Sequence, residues 1–478
     1  MTLLYDAAGV PVPVQGESML PEYLGRIKQR VDAHMPLFQA LHYRMRSDQS
    51  LYDNEPYDTI TRREGSPLVR KRYHRYISSD PQTFADKIIS TISMSSRTVK
   101  VEQLRESDQK RELNQMAVDF TNTSLKLADE LQLTRGEADI VSQISFSLAL
   151  RGWYVVRALT HVNPTTGQTV FDVTPFDPHN VVCAWNANGL EWVCNISWQT
   201  YSELRQNHPS MPQFPPSPEM TTESVRVYDY YDGQMNVVFT ENMEIKAVTP
   251  HGSPRIPIVV GHVGGRTRSS VTLISDDLTD GYVRLGDSVF KRVRELYREY
   301  NDKMTMLGDL IERTADPSWE INSINGSKGL KDNPTEGGHI YQTQVTESIR
   351  AVEMPPLDRM ASEYFERISR EIQRATLPIT AYGETPSGAS GFLFQQTTRQ
   401  QYVGTLDPFV KSMDHAFQQI TELLRAQYAT GYFSPINIPG SNDPYVPQAL
   451  QIADRMICLL YTSPSPRDRT RSRMPSSA

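Results

Sequence analysis

Apolar positions along this chain repeat in two periods, and the longest helical pattern lies between residues 285 and 428. Val289, Val293, Leu296, Tyr300, Met304, Leu307 and Ile311 recur in steps of three and four, the spacing of one helix face. Charged residues fill the intervening positions, and Pro317 closes the run. At 1.5 Å per residue, a helix over 287–313 would span ~40 Å, longer than most globular helices. Between Pro317 and Pro356 the period shortens. Segments 318–321, 338–341 and 348–352 read as short strands, with turn chemistry at 325–329 and 332–334. Pro355-Pro356 opens a second helix, striped by Leu357, Ala361, Tyr364, Ile368, Ile372 and Ala375 and ended by Pro378. A Gly/Ser/Pro loop over 382–391 then empties into a third helix carrying Tyr402, Leu406, Val410, Met413, Phe417, Ile420, Leu423 and Leu424.

Upstream, Leu24, Ile27 and Val31, then Leu37 and Leu41 beyond Pro36, predict a broken N-terminal helix. Phe84, Ile88, Ile89 and Ile92 predict a helix after Asp80-Pro81, and 99–104 a strand. Two helices follow, at 106–131 and 134–150. From Gly152 the period drops to two, giving a hairpin from 153–162 and 170–173 around a turn at 163–167. A second hairpin is predicted around Asn188-Gly189, a pair that favours direct strand pairing. Counting outward places Trp185 opposite Trp192 and Cys183 opposite Cys194. Reduced, packed thiols are expected there rather than a cross-strand bridge. Further strands are expected at 224–231, 235–239, 245–248 and 256–263, and 264–280 reads as a polar linker.

Composition bounds this picture without deciding it. At 478 residues the chain can build two to four packed units. It contains no run of eighteen apolar residues, and its start lacks the basic-then-apolar pattern of a signal peptide. A soluble protein made in a cytoplasm is the expectation. Residues 458–468 resemble one reading frame of a transposase-based sequencing adapter, and 472–478 the primer that follows, with 469–471 at the index position. The other reading is a basic disordered tail. On the adapter reading, 458–478 stand outside the fold and the natural chain is interrupted near Ile457. The net charge is −7, and removing the tail's Arg467, Arg469, Arg471, Arg473 and Asp468 leaves −10. That balance argues against a protein that grips nucleic acid and is compatible with a conduit for it.

Candidate chemistry is sparse. No Gly-x-x-x-x-Gly-Lys-Ser/Thr loop and no His-Glu-x-x-His pair occurs, and the two thiols lack the partners of a zinc site. Gly388-Ala389-Ser390-Gly391 lacks the spacing of a nucleophile elbow. Asp276, Asp277 and Asp280 read as helix-approach acids before a cation cluster. Arg70-Lys71-Arg72, with Tyr73 and Tyr76 beside them, form a basic arm. It suits a neighbouring subunit better than phosphate.

The order helix, β tip, helix ending in Leu377-Pro378, Gly/Ser/Pro loop and long helix resembles the stem, clip and tunnel-loop core of tailed-phage portal proteins. The run Leu377-Pro378-Ile379-Thr380-Ala381-Tyr382-Gly383 and the Gln395-Gln396 helix start are similar to that family too. The resemblance implies an α+β portal fold. Its parts would be an N-terminal helix and arm (1–80), wing (81–280), first stem helix (281–316), clip (317–355) and second stem helix (356–378). A tunnel loop (379–394), a long helix (395–432) and the start of a crown (433–457) would follow.

It further implies a dodecameric ring at one capsid vertex, through which double-stranded DNA passes during packaging and ejection. Val293, Leu296, Tyr300, Met304, Tyr364, Ile368 and Ile372 would then make stem contacts between subunits. Trp319, Ile321, His339 and Tyr341 would lie on the clip, where the terminase large subunit and the head-tail adaptor dock. Tyr382, Gly383, Glu384, Thr385, Ser387, Gly388 and Gly391 would face the DNA. Major capsid and scaffolding proteins would be further partners. The resemblance implies a virion protein, present in host cytoplasm during assembly, with no enzymatic activity, cofactor, metal or membrane. Two alternatives stay open: another ring-forming head-tail protein, and an α+β enzyme whose site is not visible in the sequence.

Overall fold

The computed structural model describes residues 4–5, 11–12, 20–55, 76–94, 96–101, 108–209, 211, 224–267, 282–315, 319–322, 348–351, 359–377, 391–430, 432–436 and 457–462. In chain order the elements are strands β1 (Leu4–Tyr5) and β2 (Pro11–Val12), helices α1 (Glu22–Tyr52) and α2 (Asp80–Ser93), β3 (Ser96–Val101), α3 (Asp108–Thr134) and α4 (Ile140–Phe146). Then come β4 (Trp153–Val162), β5 (Thr169–Phe176), β6 (Val181–Asn186), β7 (Gly189–Thr200), α5 (Tyr201–Asn207), β8 (Ser224–Asp232), β9 (Met235–Thr240), β10 (Glu244–Pro250) and β11 (Ile258–His262). The chain continues through α6 (Arg294–Ala315), β12 (Trp319–Asn322), β13 (Ser348–Ala351), α7 (Arg359–Ala375), α8 (Gly391–Tyr428) and β14 (Ile457–Thr462). Helices and antiparallel strands mix along the chain, an α+β arrangement. It divides into two compact units, one of Met1–Asp48, Asp86–Val289 and Leu406–Ala478, the other of Gln49–Ala85 and Phe290–Thr405.

The first unit is built on two antiparallel sheets, β10-β9-β8-β7-β6 and β11-β4-β5. α1 supplies Leu24, Val31, Phe38, Leu41 and Met45 to the core with Trp192, Cys194, Tyr228 and Tyr230 of the larger sheet. The expected break at Pro36 is absent: α1 runs through it. A proline inside a helix costs roughly 3 kcal/mol. Burying Phe38, Leu41 and Met45 beyond it returns about 1.5–3 kcal/mol per side chain, which is enough to hold the helix register. On the smaller sheet, Phe120 of α3 packs edge-on to Phe171 and lies 5.1 Å from the Tyr428 ring. Gln427 of α8 acts as a substitute strand there. Its amide accepts from Thr160 N–H and donates to the Ala158 carbonyl, at 2.6 and 2.9 Å.

The second hairpin corrects the sequence expectation by one residue. The turn is Ala187-Asn188, not Asn188-Gly189, and Cys183 pairs with Val193 while Cys194 pairs with Val182. A register shift at Ala184/Trp185 sets Ala184 against Trp192 and Trp185 against Leu190. Because side chains alternate between faces, the one-residue offset sends the two thiols to opposite sides of the hairpin. Both cysteines are free and buried, and burial holds the Cys194 thiol well above its ordinary value.

Arg157, Asp172, Asp229 and Lys246 lie in the interior of this unit, joined through Thr174, Tyr231 and Asn236. Asp172 accepts from Arg157 and Arg135 at 2.8 Å each and from Thr174 at 2.7 Å. Burial alone would raise its carboxyl. Arg157, then Arg135 and Thr174, outweigh that and hold it at about 2. β14 pairs with β3 over all six residues. An apolar, β-prone run pairs readily with an open strand edge, so this ladder leaves the adapter reading of 458–478 as it stood.

In the second unit α6 and α7 pack together, and β12 pairs with β13 in the register Trp319↔Ala351 to Asn322↔Ser348. The single helix expected over 287–313 is instead a 3-10 turn, Val289–Arg292, followed by α6. The loop expected up to residue 394 ends earlier, because α8 begins at Gly391.

Candidate functional site

The structure accounts for part of the candidate set. Val293, Ile368 and Ile372 are buried within the chain's own fold, Leu296, Tyr300 and Met304 are half-buried, and Tyr364 is exposed with its hydroxyl 3.2 Å from Glu299. Trp319 and Ile321 lie on β12, and Gly391 is the first residue of α8. His339, Tyr341, Tyr382, Gly383, Glu384, Thr385, Ser387, Gly388, Arg70, Lys71 and Arg72 lie outside the described residues, as do Asp276, Asp277 and Asp280.

The face that α6 buries differs from the stripe read in the sequence. Among the described residues, Val293 just before the helix and Tyr297, Asn301 and Thr305 within it, spaced by four, are the buried positions, and two of them are polar. Asn301 Oδ1 accepts from Ser78 N–H at 3.1 Å and Thr305 Oγ1 from Tyr76 N–H at 2.9 Å. These side chains grip the backbone that leads into α2, satisfying two amides that no secondary structure satisfies. With that face occupied, the large apolar side chains left exposed on the helical pair, among the described residues, are Met306, Ile311 and Tyr364.

A second missed feature is the joint from which the chain enters the long helix. A π turn, Ser147–Arg151, ends at Gly152 with φ +69°, directly against Gly286 with φ +74°. Trp153 Nε1 donates to the Leu285 carbonyl at 3.0 Å, and Arg44 donates to the carbonyls of Val283, Leu285 and Arg151. Ser288 donates to the buried Asp48 carboxylate at 2.7 Å.

One turn back on α1, His42 lies 5.4 Å from the His179 ring, with Nε2 3.2 Å from the Val181 carbonyl. Burial, then His179, lower its pKa from 6.5 to about 4, while Asp177, itself bound by Arg151, opposes the shift. Between those two values the unfolded chain binds a proton that the folded chain refuses. Stability is therefore full above about pH 6.5 and is lost as the pH falls toward 4, by on the order of 2–3 kcal/mol. Urea titrations at pH 7.5 and 4.5 should show that extra loss in the parent chain and not in His42→Gln.

Among the described residues of the first unit there is an open cleft of about 600 Å³ between β4, β11 and α8. Its floor is aromatic: the Trp153 ring lies 5.2 Å from His262 and 6.3 Å from Trp185. Tyr154 hydroxyl meets His415 Nδ1 at 2.7 Å, and burial pushes its pKa up. Pro408 interrupts the hydrogen bonding of α8 beside the cleft. Asp407 and Lys411, at 2.7 Å, form its lip, and Gly264 and Gly265 leave another part of the rim without side chains. Among the described residues, no group of three or more His, Cys, Asp or Glu is placed to hold a metal ion.

No family model and no curated protein matches the chain. Among solved structures it is similar to the neck of an empty GTA particle computed with C6 symmetry, at 12% identity and a TM-score of 0.42, covering 82% of this chain and 84% of that one.

Proposed function

We propose that this chain is a portal-type subunit that assembles into a homo-oligomeric ring, twelve-fold by family resemblance, at a capsid vertex. The observation that carries the reading is the excursion α6, β12/β13, α7 and its return through α8. Two amphipathic helices pack on each other, are tipped by a β pair, and leave Met306, Ile311 and Tyr364 exposed. Among the described residues no third layer of that excursion covers them, whereas a ring of identical excursions would. In this reading β12 and β13 belong to the docking surface for terminase and adaptor, and 379–390 approaches the DNA. The acidic balance suits passage of a duplex over tight binding.

Symmetry-sorted electron microscopy of the purified chain tests it, with native mass spectrometry alongside. Rings enclosing a central channel, at a mass that is a whole multiple of 54.3 kDa, are expected. A chain that stays monomeric at every concentration sinks the reading. A variant lacking 383–391 should form the same rings; loss of assembly in that variant would remove the loop from its channel role.

A further inference from the structure

We infer that the cleft between β4, β11 and α8 receives Trp198 from a second copy of this chain; this rests on the ring reading and names one of its contacts. One surface of this compact unit projects an aromatic ring beside an ion pair, and another is an aromatic-floored cleft with an ion pair on its lip. The projecting surface is Trp198 on β7, which is 64% exposed. Arg226 stacks over its ring at 5.1 Å and pairs with Glu241 at 3.5 Å. The indole is thereby presented as a flat, positioned ring with a cation and then a carboxylate at its side.

The receiving surface is the cleft. Trp153, Trp185 and His262 offer ring faces and edges for an incoming aromatic, and the volume lies in the range that takes a small molecule or a large side chain. Its lip also carries an ion pair, Asp407 with Lys411, so that on docking Asp407 can be shared with Arg226 and Lys411 with Glu241. Four alternating charges leave none buried without a counter-charge, which is the condition for an ion pair to survive desolvation at an interface. A lone exposed tryptophan is ordinary. This one is distinguished by a flanking ion pair that complements the lip of an aromatic cleft. Trp198 does not line the cleft of its own chain. Projection and cleft are different patches, so the contact is head-to-tail, the kind that closes into a ring when the rotation permits.

The test places the photoreactive aromatic p-benzoylphenylalanine at position 198 of the full chain and maps its adducts by mass spectrometry after irradiation. Adducts between copies on cleft residues, such as Val260 or Ser412, are expected. Arg226→Glu and Asp407→Lys should each raise the midpoint concentration of assembly at least tenfold, and the double variant should restore it. Rings whose adducts map elsewhere, and which form normally with Trp198→Ala, overturn this contact while leaving the ring reading intact. A parent chain that never assembles overturns both.

Discussion

Gly286→Ala is expected to cost the larger unit about 4 kcal/mol, or to prevent it from folding, although it adds one methyl group. A Cβ on Gly286 would overlap the Trp153 indole and stand 2.6 Å from the Gly152 carbonyl oxygen. The backbone there has φ +74°, which costs an L side chain roughly 1–2 kcal/mol before any clash. Moving Trp153 aside gives up its 3.0 Å hydrogen bond to Leu285, about 1 kcal/mol, and overpacking adds another ~1–3 kcal/mol. Two controls separate these causes. Gly136→Ala shares the positive φ but meets nothing within 4 Å, so only the roughly 1–2 kcal/mol of the backbone conformation should be lost. Gly265→Ala meets nothing and has no such φ, and should be neutral. Urea midpoints for the three variants make the comparison. Equal midpoints for Gly286→Ala and Gly136→Ala would mean the crossing gives way cheaply.

That joint also shows where a single sequence stops being legible. The change of period at Gly152 locates β4 to the residue, although only its second half alternates between buried and part-exposed positions and Trp153–Val156 are buried on both faces. Turn chemistry was a weaker guide. Asn188-Gly189 suggested a turn one residue away from the one formed, since the register shift at Ala184/Trp185 adjusts the pairing inside the strands. Asn301 and Thr305 were invisible to a search for apolar stripes, because their task is to bind the amides of Ser78 and Tyr76 from a distant segment. Gly152 and Gly286 are 134 positions apart, and nothing local marks either as half of a crossing. The cleft is hidden for the same reason. Trp153, Trp185, His262 and His415 carry no spacing signal, and it takes both sheets and α8 to bring them together. Local periodicity reports which face of an element is buried. It does not report which distant residue faces it.

Asp172→Ala should have the second large effect, because it leaves positive charge in the interior without its nearest counter-charge. The carboxylate is buried between Arg157 and Arg135, and the Arg157 side chain is only 20% exposed. Removing one member of a buried ion pair costs about 3–5 kcal/mol, more than the pair contributes relative to an apolar replacement. Asp229 lies near enough to take part of the load, but burial raises its own pKa. Its hydrogen bond from Asn236 is already committed. Adding Arg157→Met to Asp172→Ala should therefore recover about 1–2 kcal/mol, a coupling that appears only if the two charges interact directly. The parent chain supplies a second readout. Asp172 is held at about 2 when folded, against 3.8 as its ordinary value. Its contribution is fully present above about pH 4 and is lost as the pH falls toward 2, by on the order of 2 kcal/mol. A double variant no more stable than Asp172→Ala, with an unchanged acid limb, would place the energetic weight of this network on Asp229 and Lys246 instead.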